Sequence, residues 1–244
     1  MNNSDFKTKE YWNSRFKKEV EYDWLMTYND VKESLVNKFA QSDRILIVGC
    51  GNSTFSEDLY SDGYMNIVNI DFSEVCIEKM KERCKDCTNM TWQVMNMKTL
   101  DFPADSFDVV IDKAAIDALM TSEKSAWTVS QECREEVDEV LSEISRVLRP
   151  NGTFLSLTFV SPILRKVLYA NEKYDWSIQI TTVESTRLFS CYLYTMKIGE
   201  SLSAADIELA HNRFKVQENV KTLLLPNEQD NEEFLLNIDS DIST

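Results

Sequence analysis

The sequence predicts an α/β protein with a Rossmann-like, doubly wound sheet of seven strands that is mostly parallel. Short apolar runs alternate with helical segments, which is typical of a parallel sheet covered by helices. The first run ends in a glycine-rich turn, and the last two runs have no helix between them, which favours an antiparallel terminal hairpin. With 244 residues, of which 43% are hydrophobic and 27% charged, the chain is large enough to bury a sizeable core.

We divide the chain into three parts. Residues 1–40 are aromatic and charged, and they predict two N-terminal helices, with a break near Glu21–Trp24, that form a cap. Residues 41–200 carry the alternation of strands and helices. Residues 201–244 form an extension with a possible helix over 204–220. Its last nineteen residues hold six acidic and no basic side chains, which predicts a disordered tail or a segment that docks on a partner or on the domain.

Four strands are predicted in the first half of the chain, where short runs are rich in valine, isoleucine and other strand-forming residues. A helix follows the first run over about 53–61, and Ser73 can cap a helix that continues to about Cys84. The four runs cover residues 44–48, 67–71, 90–95 and 107–112.

A long helix opens the second half and is the clearest periodic segment. Between residues 137 and 148, apolar residues recur with the three- and four-residue spacing of one helix face. Pro150-Asn151-Gly152 is predicted to end this helix. The remaining predicted elements are a strand over Thr153–Thr158, a hydrophilic helix over Pro162–Ala170, and two strands near Trp176–Val183 and Leu188–Lys197.

The charge of the chain argues against several functions. Its 26 basic and 41 acidic residues give a net charge of −15, so we expect no nucleic acid and no membrane as a partner. A basic partner is favoured instead. The chain has a single histidine, His211, which argues against a histidine-based catalytic triad and against a histidine-rich metal site.

The cysteines and the N-terminus favour a cytoplasmic protein. The first residues lack the basic and apolar regions of a signal peptide, so the six cysteines are expected to be reduced thiols. No run approaches the roughly 18 apolar residues that span a bilayer. Cys84 and Cys87 have CxxC spacing but no second ligand pair, so we predict no metal site. We also expect a monomer.

The turn Gly49-Cys50-Gly51 is the first candidate for a binding site. Glycines permit a tight turn and the close approach of a ligand, and the next helix directs its free N–H groups to the same place. Asp71 ends the second strand, where a carboxylate can accept hydrogen bonds from both hydroxyls of a ribose. A dinucleotide is disfavoured, because Asn52-Ser53-Thr54 after Gly51 does not complete the G-x-G-x-x-G pattern.

Further features favour S-adenosylmethionine as the cofactor. Asn96 and Met97 leave the third strand, where a side-chain amide and a backbone N–H can meet an adenine ring. Aromatic faces near the site suit a cationic sulfonium. The segment Arg146-Val147-Leu148-Arg149-Pro150-Asn151-Gly152 looks like the junction between a helix and strand five of class I methyltransferases. We therefore predict the class I methyltransferase fold.

A closer resemblance rests on motifs spread between residues 9 and 203. They are Glu10-Tyr11-Trp12, Tyr22-Asp23-Trp24, Val48-Gly49-Cys50-Gly51-Asn52-Ser53, Leu100-Asp101-Phe102-Pro103, Asp112-Lys113, Asp117-Ala118-Leu119 and Trp127-Thr128-Val129-Ser130. In these segments the chain resembles the eukaryotic elongation factor 1A lysine methyltransferases. A domain of this family also occurs in vertebrates fused to an endothelin-converting peptidase.

The resemblance implies which residues bind the cofactor. Trp12, Phe16 and Trp24 would close over the cofactor, and Gly49 with Gly51 would face its methionine part. Asp71 and Phe72 would contact its ribose and adenine, and Asn96 and Met97 would contact the edge of the adenine. Lys113 would lie beside the bound cofactor. The alternatives are a core role for the two tryptophans and a solvated Lys113. The chain departs from the family at Ala114-Ala115, where Gly-Thr is usual, at Phe16, where Tyr is common, and at Asn96, where an acid is usual.

The implied function is a protein-lysine N-methyltransferase that acts on elongation factor 1A. A lysine must lose its proton before it accepts a methyl group, and we predict that Asp112, at the end of strand four, orients the amine. The alternative for Asp112 is a helix-capping or loop carboxylate. Two other functions stay open: a small-molecule N- or O-methyltransferase, and a non-catalytic cofactor-binding scaffold, which the departure at Ala114-Ala115 makes conceivable.

Overall fold

The computed structural model describes residues 3–123, 129–183 and 190–212, and its centre is a seven-stranded sheet. In chain order the strands are β1 (Ile45–Val48), β2 (Ile67–Asp71), β3 (Thr91–Val94), β4 (Phe107–Lys113), β5 (Leu148–Thr158), β6 (Trp176–Val183) and β7 (Cys191–Ile198). In space their order is β3-β2-β1-β4-β5-β7-β6. Strands β1 to β5 pair in parallel, whereas β7 is antiparallel to both β5 and β6. The predicted Rossmann-like sheet with a terminal hairpin is confirmed.

The sheet has a topological switch point between β1 and β4. The chain builds outward from β1 through β2 to β3, then returns and continues through β4 on the other side of β1. In sheets of this kind, ligands bind outside the carboxyl ends of the strands at that point. Strand β1 is buried along its whole length, since helices cover both faces of the sheet.

The helices fall largely where the sequence predicts them. They are α1 (Lys9–Lys18), α2 (Tyr28–Leu35), α3 (Phe55–Ser61), α4 (Glu74–Arg83), α5 (Ala115–Leu119), α6 (Gln131–Val147) and α7 (Pro162–Tyr169), with 3-10 turns at Asn3–Lys7 and Glu172–Tyr174. The hydroxyl of Ser73 accepts a hydrogen bond from the N–H of Cys76 and caps α4 as predicted. Residues 204–212 are also helical. The rest of the helix predicted over 204–220, the acidic tail and the predicted start of the last strand at Leu188 lie outside the described residues.

The junction between α6 and β5 differs from the prediction. Strand β5 begins at Leu148, immediately after the helix, so Pro150-Asn151-Gly152 lies within the strand and does not precede it. Asn151 has a positive φ of 62°, and the pairing of β4 with β5 shifts register between Phe107 and Val109. The turn-forming residues therefore make an irregularity in the strand.

Two helices differ from expectation for separate reasons. The predicted hydrophilic helix is amphipathic, because α7 buries Val167, Leu168, Tyr169 and even Arg165. The short α5 was not predicted, since a helix of five residues shows no periodic pattern.

Two apolar clusters hold the helices on the sheet. Residues of α5, α6 and α7 pack on one face, and residues of α1, α2, α3 and α4 pack on the other. In the described parts of the chain, no helix has both the length and the apolar character needed to cross a membrane.

Candidate active site

A cavity of about 720 Å³ lies at the carboxyl ends of the strands, beside the switch point and under the N-terminal cap. All ten residues predicted to bind the cofactor lie on its wall: Trp12, Phe16, Trp24, Gly49, Gly51, Asp71, Phe72, Asn96, Met97 and Lys113. Residues that are separated by up to a hundred positions in the chain therefore meet at one place. The individual contacts with a cofactor stay predictions.

The glycine turn after β1 requires both of its glycines, for different reasons. Gly49 and Gly51 have φ angles of +59° and +55°, a region in which a side chain causes strain. A Cβ on Gly49 would also lie 2.4 Å from the Cβ of Ala115, at the start of α5. Among the described residues, a Cβ on Gly51 would meet Phe16 alone, at 3.9 Å. Gly49 thus lets the turn pack against α5, a contact that the sequence alone did not indicate.

Asp71 ties the ends of the first two strands together. Its Oδ2 accepts a hydrogen bond of 3.1 Å from the N–H of Gly51, and its Oδ1 accepts one of 2.9 Å from the N–H of Ser73. Burial raises the pKa of Asp71 to about 6, although these two backbone bonds oppose the rise. A carboxylate offers about four acceptor positions. Positions therefore remain for two hydroxyl groups of a ligand.

The aromatic side chains of the cap form the outer wall. The rings of Trp12 and Phe16 stack with centroids 5.4 Å apart, and Trp24 meets Trp12 edge-on at 6.0 Å. The buried Nε1 of Trp24 has no hydrogen-bond partner among the described residues. An unpaired buried donor is costly, so this atom fits a ligand that brings an acceptor group.

Lys113 fastens the cap to the sheet. Its Nζ donates to Oδ1 of Asp23 at 3.0 Å and to the carbonyl oxygens of Trp24 and Met26 at 3.0 and 3.3 Å. Its side chain is 8% exposed, so the alternative of a solvated lysine is wrong. Burial would raise the pKa of Asp23, but the charge of Lys113 and hydrogen bonds from hydroxyl groups hold it below its ordinary value.

Asn96 and Met97 follow β3 on the opposite wall. The Oδ1 of Asn96 accepts a hydrogen bond of 3.0 Å from the N–H of Lys98, which fixes the side chain in a local turn. The side-chain amide of Asn96 was predicted to meet adenine, and its carbonyl oxygen already accepts this backbone hydrogen bond. Met97 is half-buried and packs against the core.

Asp112 does not reach the cavity, and its predicted role in orienting an amine does not fit the structure. Its Oδ1 accepts hydrogen bonds from the N–H groups of Ala115 and Ile116, at 2.9 and 3.1 Å, and its Oδ2 accepts one from Ser156. The residue is 1% exposed, and burial, with the nearby charge of Asp117, raises its pKa to about 6. Asp112 has the geometry of the alternative, a carboxylate that caps α5.

Another acidic residue does line the cavity. Asp117, on α5, pairs with the fully buried guanidinium of Arg165 and accepts a hydrogen bond from Thr158 at 2.8 Å. In the sequence, Asp117 stands out only as part of the family motif Asp117-Ala118-Leu119. An arginine inside an amphipathic helix was the signal that could have indicated a buried partner for it.

Three possible metal ligands lie close together beside the turn. Among the described residues, the Sγ atoms of Cys50 and Cys76 and a carboxylate oxygen of Asp71 lie within 4.8 Å of one another. Burial raises the pKa of the Cys50 thiol, which disfavours the thiolate that binds metals. The absence of a metal stays a prediction.

Comparison with known proteins agrees with this geometry. A family model described as a methyltransferase domain matches residues 40–222. The mouse protein EEF1A lysine methyltransferase 4 is 35% identical over 236 residues, which are 96% of this chain and 92% of the mouse protein. The chain belongs to the EEF1A lysine methyltransferase family. The bovine EEF1A lysine methyltransferase 4 is 36% identical over 208 residues, covering 84% of this chain and 81% of its own.

A solved structure supports the fold of this family member. The N-methyltransferase NodS of Bradyrhizobium japonicum, in complex with S-adenosyl-L-homocysteine, superposes with a TM-score of 0.55 at 15% identity, covering 78% of this chain and 99% of its own. The family member is an S-adenosylmethionine-dependent methyltransferase. The cavity fits this cofactor, because it offers the unpaired Trp24 donor, the Asp71 acceptor and a glycine turn that a ligand can approach closely.

Proposed function

We propose that this methyltransferase modifies the side-chain amine of a lysine in elongation factor 1A. The observation that carries the proposal is the 35% identity to mouse EEF1A lysine methyltransferase 4 over nearly the whole of both chains. The net charge of −15 supports a substrate that presents a cationic lysine. The cavity at the switch point supports it too, since the ten residues predicted for the cofactor lie on its wall.

The bound cofactor supplies a methyl group that is already activated by a positive sulfur. The protein therefore has to position two reactants and exclude water. Gly49, Gly51 and Asp71 would hold one end of the cofactor, and Trp12 and Trp24 would cover it with aromatic faces that favour a nearby cation. Apolar surroundings disfavour the ammonium form of the acceptor, and a nearby carboxylate or water can take the proton that the amine must lose before transfer.

Two alternatives share the same cofactor site. A small-molecule N- or O-methyltransferase would need the same residues for the cofactor, and a non-catalytic scaffold would bind the cofactor without transfer. The chain departs from the family at Ala114 and Ala115, but this departure leaves both positions on the cavity wall.

Incubation of the protein with labelled S-adenosylmethionine and a eukaryotic lysate separates the three functions. We expect one labelled protein band at the size of elongation factor 1A. Label only in small metabolites would favour the small-molecule enzyme. Cofactor binding without any transfer would favour the scaffold, and either of these results would contradict the proposal.

We further propose that the protein works in the cytoplasm as a monomer, without binding nucleic acid or membrane. The strongly acidic composition supports the absence of both polyanionic partners. Light scattering after size-exclusion chromatography should give the mass of one chain, 28.3 kDa. A mass of two chains would contradict the monomer.

A further inference from the structure

We propose that Asp117 binds the cationic amine of the acceptor, with Arg165 and Thr158 as the groups that position it. This inference rests on the proposed function, because it assigns the acceptor side of the same cavity. It replaces Asp112, whose oxygens accept hydrogen bonds from the start of α5 and from Ser156 on β5.

The first reason is the place of Asp117 in the cavity. Among the described residues, four acidic side chains line it: Glu10, Asp71, Asp117 and Glu136. Glu136 is paired with two lysines, Lys7 and Lys98. Asp71, at the end of β2, accepts a hydrogen bond from the glycine turn that follows β1. Glu10 is exposed at the rim. Asp117 is thus the buried carboxylate on the far side of the turn.

The second reason is the distance from the ribose end of the site. Asp117 is bonded to Thr158, the last residue of β5, and Asp71 is the last residue of β2. Three strand spacings separate β2 from β5, or about 14 Å at about 4.8 Å each. A cofactor held at Asp71 and at the turn after β1 extends toward β4, so the acceptor has to enter from the side on which Asp117 lies.

The third reason is the way in which the carboxylate is held. The Arg165 side chain is fully buried, and burying a guanidinium is costly unless it is paired. Arg165 lies behind Asp117 and also contacts the Sδ of Met120 at 3.2 Å. Arg165 and Thr158 occupy only part of the roughly four acceptor positions of the carboxylate. The remaining positions can accept N–H groups from an amine.

The walls beside Asp117 suit a lysine side chain. Leu119 and Phe159 line the same end of the cavity. They offer apolar surface to the methylene groups of a lysine, while its amine reaches the carboxylate. An acceptor of this shape, an amine on a flexible apolar stem, matches the arrangement.

A binding experiment tests Asp117 without any turnover. Sinefungin carries an ammonium in place of the methyl-bearing sulfonium, whereas S-adenosylhomocysteine is neutral at that position. Calorimetry on the full chain gives the ratio of the two affinities for the wild type and for Asp117→Asn. We expect the ratio of the affinity for sinefungin to that for S-adenosylhomocysteine to fall roughly tenfold in the variant, since an opposite charge within about 4–6 Å contributes at least a tenfold effect. The exposed variant Asp101→Asn should keep the wild-type ratio.

A kinetic experiment then links the residue to the acceptor. If wild type methylates elongation factor 1A, Asp117→Asn should raise the KM for that substrate at least roughly tenfold and leave the affinity for S-adenosylhomocysteine unchanged. An unchanged KM and an unchanged sinefungin ratio would overturn the role of Asp117. A wild type without activity on elongation factor 1A would instead overturn the proposed function, while the binding ratio would still test Asp117.

The single variant leaves Arg165 buried without its partner and can therefore unfold. The double variant Asp117→Asn/Arg165→Met removes both charges and keeps the test decisive, since the carboxylate is still missing. A folded double variant with the wild-type preference for sinefungin would overturn the proposal, and one without that preference would support it.

Discussion

At the scale of single residues, the glycine turn shows how one missing side chain serves two purposes. Gly49 adopts a left-handed conformation and also lies against Ala115, so that α5 can pack on the end of β1. The turn that is predicted to approach the cofactor is therefore also in contact with α5, the helix that carries Asp117.

We expect Gly49→Ala to be much more destabilising than Gly199→Ala. Both positions have positive φ, which costs about 1–2 kcal/mol for an L-residue, but no atom of the described residues lies within 4 Å of a Cβ on Gly199. The clash with Ala115 should add about 1–3 kcal/mol at position 49. Urea denaturation of the two variants measures the difference. Equal losses would contradict the close contact, and Gly49→Ala/Ala115→Gly should recover part of the stability.

Asp71 should make cofactor binding depend on pH. Its pKa is about 6 because it is buried, so the carboxylate is ionised at pH 7 and protonated at pH 5. Only the ionised form offers all of its acceptor positions to a ribose. The affinity for S-adenosylhomocysteine should therefore rise by about tenfold from pH 5 to pH 7 and then stay constant.

The same titration with variants shows which residue is responsible. Asp71→Asn should bind weakly and show no rise through pH 6. Asp112 has a similar pKa but lies off the cavity, so Asp112→Asn should keep the rise. A rise that persists in Asp71→Asn would show that another group controls binding.

At the scale of elements, the cap is held over the cavity by charges and not only by apolar contacts. Lys113, at the end of β4, binds the side chain of Asp23 and two carbonyl groups of the segment before α2. This arrangement joins the cap to the strand whose end leads into α5.

We expect Lys113→Met to loosen the cap and to speed cofactor release. The variant keeps the length of the side chain but leaves a partly buried Asp23 without this cation, which should increase the dissociation rate of S-adenosylhomocysteine roughly tenfold. Stopped-flow measurement of tryptophan fluorescence follows the release. Lys85→Met, which removes an exposed pair with Glu82, is the control, and equal rates in both variants would contradict a role for Lys113 in holding the cap.

The elements differ in how well the sequence predicted them. Strand β2 was predicted with its exact bounds, and Ser73 was predicted as a cap, because both depend on local pattern. One part of the cavity wall was predicted from residues at the ends of successive strands, whereas Trp12, Phe16 and Trp24 were predicted from the family resemblance. Local pattern could not show that Asp112 turns inward, because this depends on where the five-residue α5 begins.

Long-range partners were the other feature that the sequence could not supply. Lys113 finds Asp23 ninety positions earlier in the chain, and Arg165 finds Asp117 forty-eight positions earlier. Such pairs depend on the assembled sheet. The helix over Pro162–Ala170 was therefore predicted as hydrophilic, although the fold buries Arg165 completely.

At the scale of the whole molecule, the net charge of −15 and the cavity are consistent with the same kind of ligand, a cation. In our proposal, the body binds a cationic cofactor under an aromatic cap and presents a second carboxylate, Asp117, to the acceptor amine. The switch point of the sheet brings the two sides together.

The most direct test of this account uses eukaryotic elongation factor 1A that has been expressed in bacteria. This substrate is incubated with S-adenosylmethionine and with either the wild-type protein or Asp71→Ala. The account predicts that wild type adds one or more methyl groups to a lysine, seen by mass spectrometry of the digested substrate, and that Asp71→Ala adds none. An unmodified elongation factor 1A with wild type, or equal modification by the two proteins, would contradict it.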